Sequence, residues 1–182
     1  TEEFLTGWQR AAEKNQLLDI GAEINRLTLQ IAAKVFFDVD IHAQSESISE
    51  AVSVLSSTFT QRCLSPLIAS AGLLGLPLPE NRRLSSASAV LTEVVRDIIK
   101  QIRQTHGQDE NILAQMIRAE DAETGRVLSE SELQTEVSTL LLAGHETTAR
   151  ALTWALYLLG RHPDAADRIA QEVDSACGEN PP

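Results

Sequence analysis

An all-α fold dominated by one long central helix is what this sequence predicts, and three observations carry the prediction. Apolar residues recur at three- and four-residue steps in nearly every segment, with almost none of the period-two alternation of a strand. Ser129-Glu-Ser-Glu132 is a capping box that starts a helix with no stop signal before His162-Pro163, about 45 Å away at about 1.5 Å per residue. Aromatic residues are only 4% of the chain, which leaves Leu, Ala and Val to fill the core.

Taken in order, Asp19–Asp38 places Ile20, Ile24, Leu27, Ile31, Val35 and Phe36 on one apolar face, a helix. Ile48–Leu64 repeats the pattern through Val52, Leu55 and Phe59, between Ser-rich flanks. The stretch Ser65–Pro79 holds three prolines and two glycines among leucines, so it reads as an apolar loop with short helical turns. Leu84–Thr105 resumes a long helix, closed by His106-Gly107. Ile112–Glu120 is a short helix, Asp121–Arg126 a polar turn, and the capping box launches the helix over about 130–161. Pro163 opens a last helix, to about residue 177, with Ile169 and Val173 facing inward.

At 182 residues the chain is long enough for a single domain with its own core. A net charge of −11 argues against nucleic acid, whose affinity comes mainly from Lys and Arg releasing counterions. No apolar run approaches the twenty or so residues of a transmembrane helix. Two cysteines, Cys63 and Cys177, make no disulfide framework and fit a reducing, cytoplasmic compartment. The chain begins at Thr1 and its only methionine is Met116, so it is expected to be processed or to be an internal piece of a longer protein.

Inside the longest apolar run lies Leu140-Leu-Leu-Ala-Gly-His-Glu-Thr-Thr-Ala149, four polar residues where a buried helix wants none. His145-Glu146 starts a zinc-protease motif whose second histidine would be residue 149, which is Ala149, so that chemistry is excluded. There is no phosphate-binding glycine loop and no Gly-x-Ser-x-Gly elbow. Two readings of the polar run remain. Thr147 and Thr148 can simply bond back to carbonyls one turn earlier. Alternatively, a small residue one turn from each hydroxyl (Ala143 with Thr147, Gly144 with Thr148) leaves room for a ligand, on a turn that Gly144 and Thr147 loosen into a bulge. An acid beside a hydroxyl on such a turn suits proton delivery to a buried acceptor.

Ala143-Gly144-His145-Glu146-Thr147-Thr148 resembles the central-helix signature of the cytochrome P450 haem-thiolate monooxygenases, Ala/Gly-Gly-x-Asp/Glu-Thr-Thr/Ser. Leu-Tyr-Leu-Leu and the His-Pro that follow it, the Arg26-Leu-Thr-Leu of the first long helix, the proline loop and Asp121-Ala-Glu-Thr-Gly before the capping box are similar as well. The resemblance implies haem as cofactor, with Ala143 and Gly144 against it. It gives Thr147 a hydrogen bond to the dioxygen carried there and Glu146 the delivery of protons through water. A salt bridge is a second use for Glu146. Phe59, Leu64, Leu74, Leu140 and Thr148 are the implied substrate contacts, with the Pro66–Pro79 loop as a lid. The implied partners are a hydrophobic substrate (a fatty acid, terpenoid or polyketide) and a redox protein relaying NAD(P)H-derived electrons.

The chain departs from the family where the axial thiolate should be, in Phe-x-x-Gly-x-x-x-Cys-x-Gly. Around Cys177 the matching positions are Ala170, Val173 and Glu179; around Cys63 they are Ser56, Phe59 and Ser65. Glu-x-x-Arg strings, those at Glu23, Glu93 and Glu123 among them, lie before the central helix, where the family has it after. Neither Trp8 nor Trp154 has the arginine four residues on of the haem-propionate site. The expectation is therefore the middle of such an enzyme, without the β-rich region, a metal ligand or activity of its own, which self-associates along its uncovered central helix. The alternative is a stand-alone acidic helical bundle that serves as a binding or interaction module.

Overall fold

The computed structural model describes residues 2–64, 79–104 and 111–178, except for the side chains of residues 2, 59, 61–64 and 79–80. Among the described residues there are seven α-helices and no strand: α1 Glu2–Glu13, α2 Ile20–Phe37, α3 Ser45–Leu64, α4 Pro79–Gln104, α5 Ile112–Arg118, α6 Glu130–Arg161 and α7 Pro163–Cys177. A 3-10 turn, His42–Gln44, leads into α3. None of these helices is long and apolar enough to cross a membrane.

Local chemistry sets the boundaries. The Asp19 carboxylate accepts the Ala22 N–H at 3.0 Å and opens α2, which ends at Asp38 in the left-handed region, φ 56°. Asn111 caps α5 in the same way through Ala114 N–H, 2.9 Å. The polar turn after α5 is closed by an isolated antiparallel bridge, Glu120 to Val127, with Gly125 at φ 66°. The capping box is complete: Ser129 Oγ accepts from Glu132 N–H at 3.4 Å and Glu132 Oε2 accepts from Ser129 N–H at 2.8 Å. The Ser129 hydroxyl, donating to Glu132 Oε2 at 2.6 Å, the Ser129 N–H and Arg126 hold the Glu132 carboxyl down to about 2. Ser129→Ala is accordingly expected to cost about 1 kcal/mol in urea-induced unfolding; an unshifted midpoint would show that the cap adds nothing.

Two elements differ from the expectations. Helix α4 begins at Pro79, five residues ahead of Leu84, because proline in a first turn gives up an N–H that has no helical partner anyway. Helix α1 had no counterpart in the sequence reading; its apolar face, Phe4, Trp8 and Ala11, buries only Ala11 fully among the described side chains.

The core lies where α2, α3, α4 and α6 meet, with Phe37, Leu29, Ile48, Ile99, Val137 and Leu141 among its fully buried residues. Helices α2 and α6 form the most extensive pair. They run antiparallel, with Gly21 beside Thr153 and Phe36 beside Gly144. The buried face of α6 runs Leu133, Val137, Leu141, His145, Ala149, one residue per turn. It stops there. Leu152, Trp154, Leu156, Tyr157 and Leu158 are exposed, Trp154 at 64%, and so are Ile169 and Val173 of α7. The central helix therefore crosses the core only as far as Ala149, and the inward orientation expected for Ile169 and Val173 is not met within this chain.

Candidate active site on helix α6

The four polar residues from His145 to Thr148 project in four directions, because successive residues on a helix are about 100° apart. Each finds a different environment.

His145 points into the core and is fully buried. Its Nδ1 lies 2.6 Å from the Leu141 carbonyl, an acceptor only, so Nδ1 carries the proton and Nε2 the lone pair. Nε2 is buried without a hydrogen-bond partner among the described residues. Burial pushes the imidazole below the ordinary histidine range, and the opposing pulls of the Leu141 carbonyl and the Glu146 charge do not compensate. The unfolded chain takes up this proton near pH 6.5, the folded chain only at lower pH. The neutral ring thus contributes stability in full above about pH 6.5, and that contribution is lost as pH falls toward the folded value. Melting temperature is expected to decline below about pH 6.5, and less steeply in His145→Gln; parallel profiles for the two proteins would remove His145 as the cause.

Glu146 is half-buried and turned toward α3. Ser56 Oγ donates to its Oε2 at 2.8 Å, while Arg150 donates to Oε1 through Nη2 at 2.7 Å and Nε at 3.3 Å. Burial alone would raise this carboxyl. The hydrogen bonds from Arg150 and Ser56, with the charge of Arg150 and that of His145 when protonated, outweigh it and hold the group below the usual carboxylate range. The salt-bridge use anticipated for Glu146 is therefore present, with Arg150 four residues on.

Thr147 and Thr148 are exposed. Their hydroxyls donate to the carbonyls of Ala143 at 3.0 Å and Gly144 at 3.3 Å. This is the back-bonding reading of the threonines, and α6 stays an uninterrupted α-helix throughout, so the expected bulge is not formed. A threonine Oγ in this position shares a carbonyl with the backbone without displacing its bond.

The room expected beside Gly144 is taken. A Cβ built there would lie 2.4 Å from Phe36 Cε2 and 3.6 Å from Ala32 Cβ, so the missing side chain serves the approach of α2 and not a ligand. Ala143 differs: Thr139, Ala143, Thr147 and Ala151, spaced four apart, are all exposed and form a line of small uncharged side chains along α6. Leu140 beside them is half-buried against the core. Phe59 and Leu64 lie on α3 with side chains outside the described residues, and Leu74 with the rest of the loop at 65–78 is outside them altogether. Cys177 is a free, partly exposed thiol on α7.

Only part of this was legible. Arg150 follows from helical spacing, whereas Ser56 is 90 positions from Glu146 and Phe36 no nearer in kind to Gly144, so neither left a local signal. Of the Glu-x-x-Arg strings, Glu23 and Arg26 pair on the face of α2, where Glu23 also accepts from Trp8 Nε1 at 3.2 Å.

Comparison with known proteins is consistent along the whole chain. The family model described as Cytochrome P450 matches residues 1–182. Cyclooctatin synthase of Streptomyces melanosporofaciens is 36% identical over 169 residues, covering 91% of this chain and 36% of that protein. Cyclooctat-9-en-7-ol 5-monooxygenase of the same organism is 33% identical over 164 residues, 89% of this chain and 35% of that protein. The crystal structure of the cytochrome P450DA heme domain superimposes with a TM-score of 0.75 at 26% identity, covering 100% of this chain and 38% of that one. The chain thus spans little more than a third of the length of these relatives.

Proposed function

The chain belongs to the cytochrome P450 family, and we propose on that premise that it is the helical centre of a haem-thiolate monooxygenase. The full-length protein inserts one oxygen atom of dioxygen into a hydrophobic organic substrate, with NAD(P)H-derived electrons delivered by a redox partner. The observation that carries this reading is the exposed line Thr139, Ala143, Thr147, Ala151 on α6, with Glu146 one position away.

The residues present fit one wall of a haem site. A flat macrocycle packs on small, uncharged side chains, and Ala143 supplies a methyl where a larger residue would block it. When bound, the haem supplies the reduction of dioxygen and the transfer of its oxygen atom. Thr147 offers the only hydroxyl in the centre of that wall. Its proton is engaged with the Ala143 carbonyl, so its oxygen is free to accept a hydrogen bond from water and its hydroxyl can turn outward to donate one. Glu146, held ionised, is the proton carrier one step behind it, with water bridging the two.

The name of the relative acting on cyclooctat-9-en-7-ol supports a cyclic hydrocarbon alcohol or alkene as the substrate type. The contacts proposed for it are Leu140 and Thr148 on α6, and Phe59, Leu64 and Leu74 from the α3–α4 side. We assign the full-length protein to the cytoplasm and its axial thiolate to sequence other than these 182 residues. The test is spectroscopic. Full-length protein, reduced under carbon monoxide, is expected to give the thiolate-type Soret band, and this chain alone with added hemin is not. Absence of the band in the full-length protein would refute the proposal.

The chain in isolation is proposed to self-associate, because Trp154, Tyr157 and Leu158 leave apolar surface in water at a cost of roughly 25 cal/mol per Å². Sedimentation at micromolar concentration is expected to give a dimer or larger species; a compact, cooperatively melting monomer would exclude it.

A further inference from the structure

We infer that Ser56, on α3, is a positioning residue for Glu146: its hydroxyl holds the α6 carboxylate turned toward α3 and thereby makes proton passage through Glu146 depend on where α3 lies. The inference rests on the reading of Glu146 as a proton carrier given above.

Four features of the structure lead to it. The two carboxylate oxygens are held by different helices, Oε1 by Arg150 of α6 itself and Oε2 by Ser56 of α3 at 2.8 Å. Arg150 rides on the same helix as the acid and is 71% exposed, so its pairing is screened by solvent and carries no information about the rest of the fold. Ser56 is the partner that lies elsewhere. Among the described residues, helix α3 packs mainly against α4 and α2 and not extensively along α6, so this hydrogen bond ties two helices that otherwise meet little there. Finally, the tie sets direction. With Oε2 on Ser56, the carboxylate faces α3 while Thr147, about 100° further round α6, faces the open line of small residues.

A hydrogen bond to one oxygen of an ionised carboxylate favours the ionised form. Among the described residues, the charged or titratable groups acting on Glu146 are Arg150 and His145, both on α6, and α3 contributes the neutral Ser56 hydroxyl. Removing that hydroxyl leaves burial opposed by fewer partners, so the carboxylate should titrate at higher pH and lose its fixed direction. Ser56 is thus the residue through which displacement of α3 alters both properties of the acid without touching α6.

The experiment uses the full-length protein with Ser56→Ala, Ser56→Thr and Glu146→Gln, alone and combined. The infrared carboxylate signal of Glu146, isolated as the difference from Glu146→Gln, is titrated against pH, and the pH profile of product formed per NAD(P)H consumed is measured in parallel. Ser56→Ala is expected to move the Glu146 titration upward, to displace the acid limb of the coupling profile in the same direction, and to leave substrate KM unchanged. Ser56→Thr, which keeps the hydroxyl, should restore both, and Ser56→Ala should add nothing in the Glu146→Gln background. An unmoved titration in a folded Ser56→Ala protein overturns the inference. A moved titration in a protein whose coupling is indifferent to Glu146→Gln overturns instead the proton-carrier reading on which it rests.

Discussion

Thr147→Ala in the full-length protein is expected to leave haem content and substrate affinity nearly intact, while the product-forming rate falls on the order of a hundredfold, the scale of a lost proton-transfer group. NAD(P)H consumption should continue. Two electrons and two protons then leave with dioxygen as hydrogen peroxide instead of one oxygen atom going to substrate and the other to water. The structure makes this a clean substitution: Thr147 is exposed, its one hydrogen bond is to a carbonyl of its own helix, and alanine is the better helix former. Folding is therefore not expected to suffer, and lost coupling reports chemistry. Thr147→Ser, which keeps the hydroxyl, should retain most of it. If peroxide and product yields in Thr147→Ala match the unsubstituted protein, Thr147 has no part in proton delivery.

The largest effect on stability is expected at Gly144. In an exposed helix interior, replacing glycine with alanine gains up to about 1 kcal/mol. Here the added Cβ would sit 2.4 Å from Phe36 Cε2 and 3.1 Å from Cζ, closer than real carbons approach, so the α2 ring or the helix itself must move. Overpacking of this kind costs about 1–3 kcal/mol. Gly144→Ala is expected to lose part of that range and Gly144→Val, with a branched side chain against the same ring, to reach its upper end. Phe36→Leu should recover much of the loss in the double variant, a coupling that two residues in contact must show and distant ones do not. Urea unfolding of the four proteins in the cycle measures it. A stabilising Gly144→Ala would mean that α2 and α6 do not approach as closely as their packing indicates.

What the sequence alone determined about this chain is what depends on neighbours within one or two turns. The capping box at Ser129 and Glu132, the stop at His162-Pro163 and the apolar periodicity over Asp19–Asp38 are short-range physics, and the corresponding helices fall where the pattern puts them. The six-residue motif from Ala143 to Thr148 was legible as a family signature for the same reason, its meaning being carried by contiguous residues. Helix α1 carries an apolar stripe too, Phe4, Trp8 and Ala11, although only Ala11 is fully buried among its described side chains. Tertiary structure decided the rest. Whether Gly144 makes room for a ligand or for Phe36, whether Glu146 turns toward Thr147 or toward Ser56, and where along α6 the buried face ends all depend on which helix lies opposite. Those partners are set by the burial of many residues at once, and no spacing within α6 encodes them.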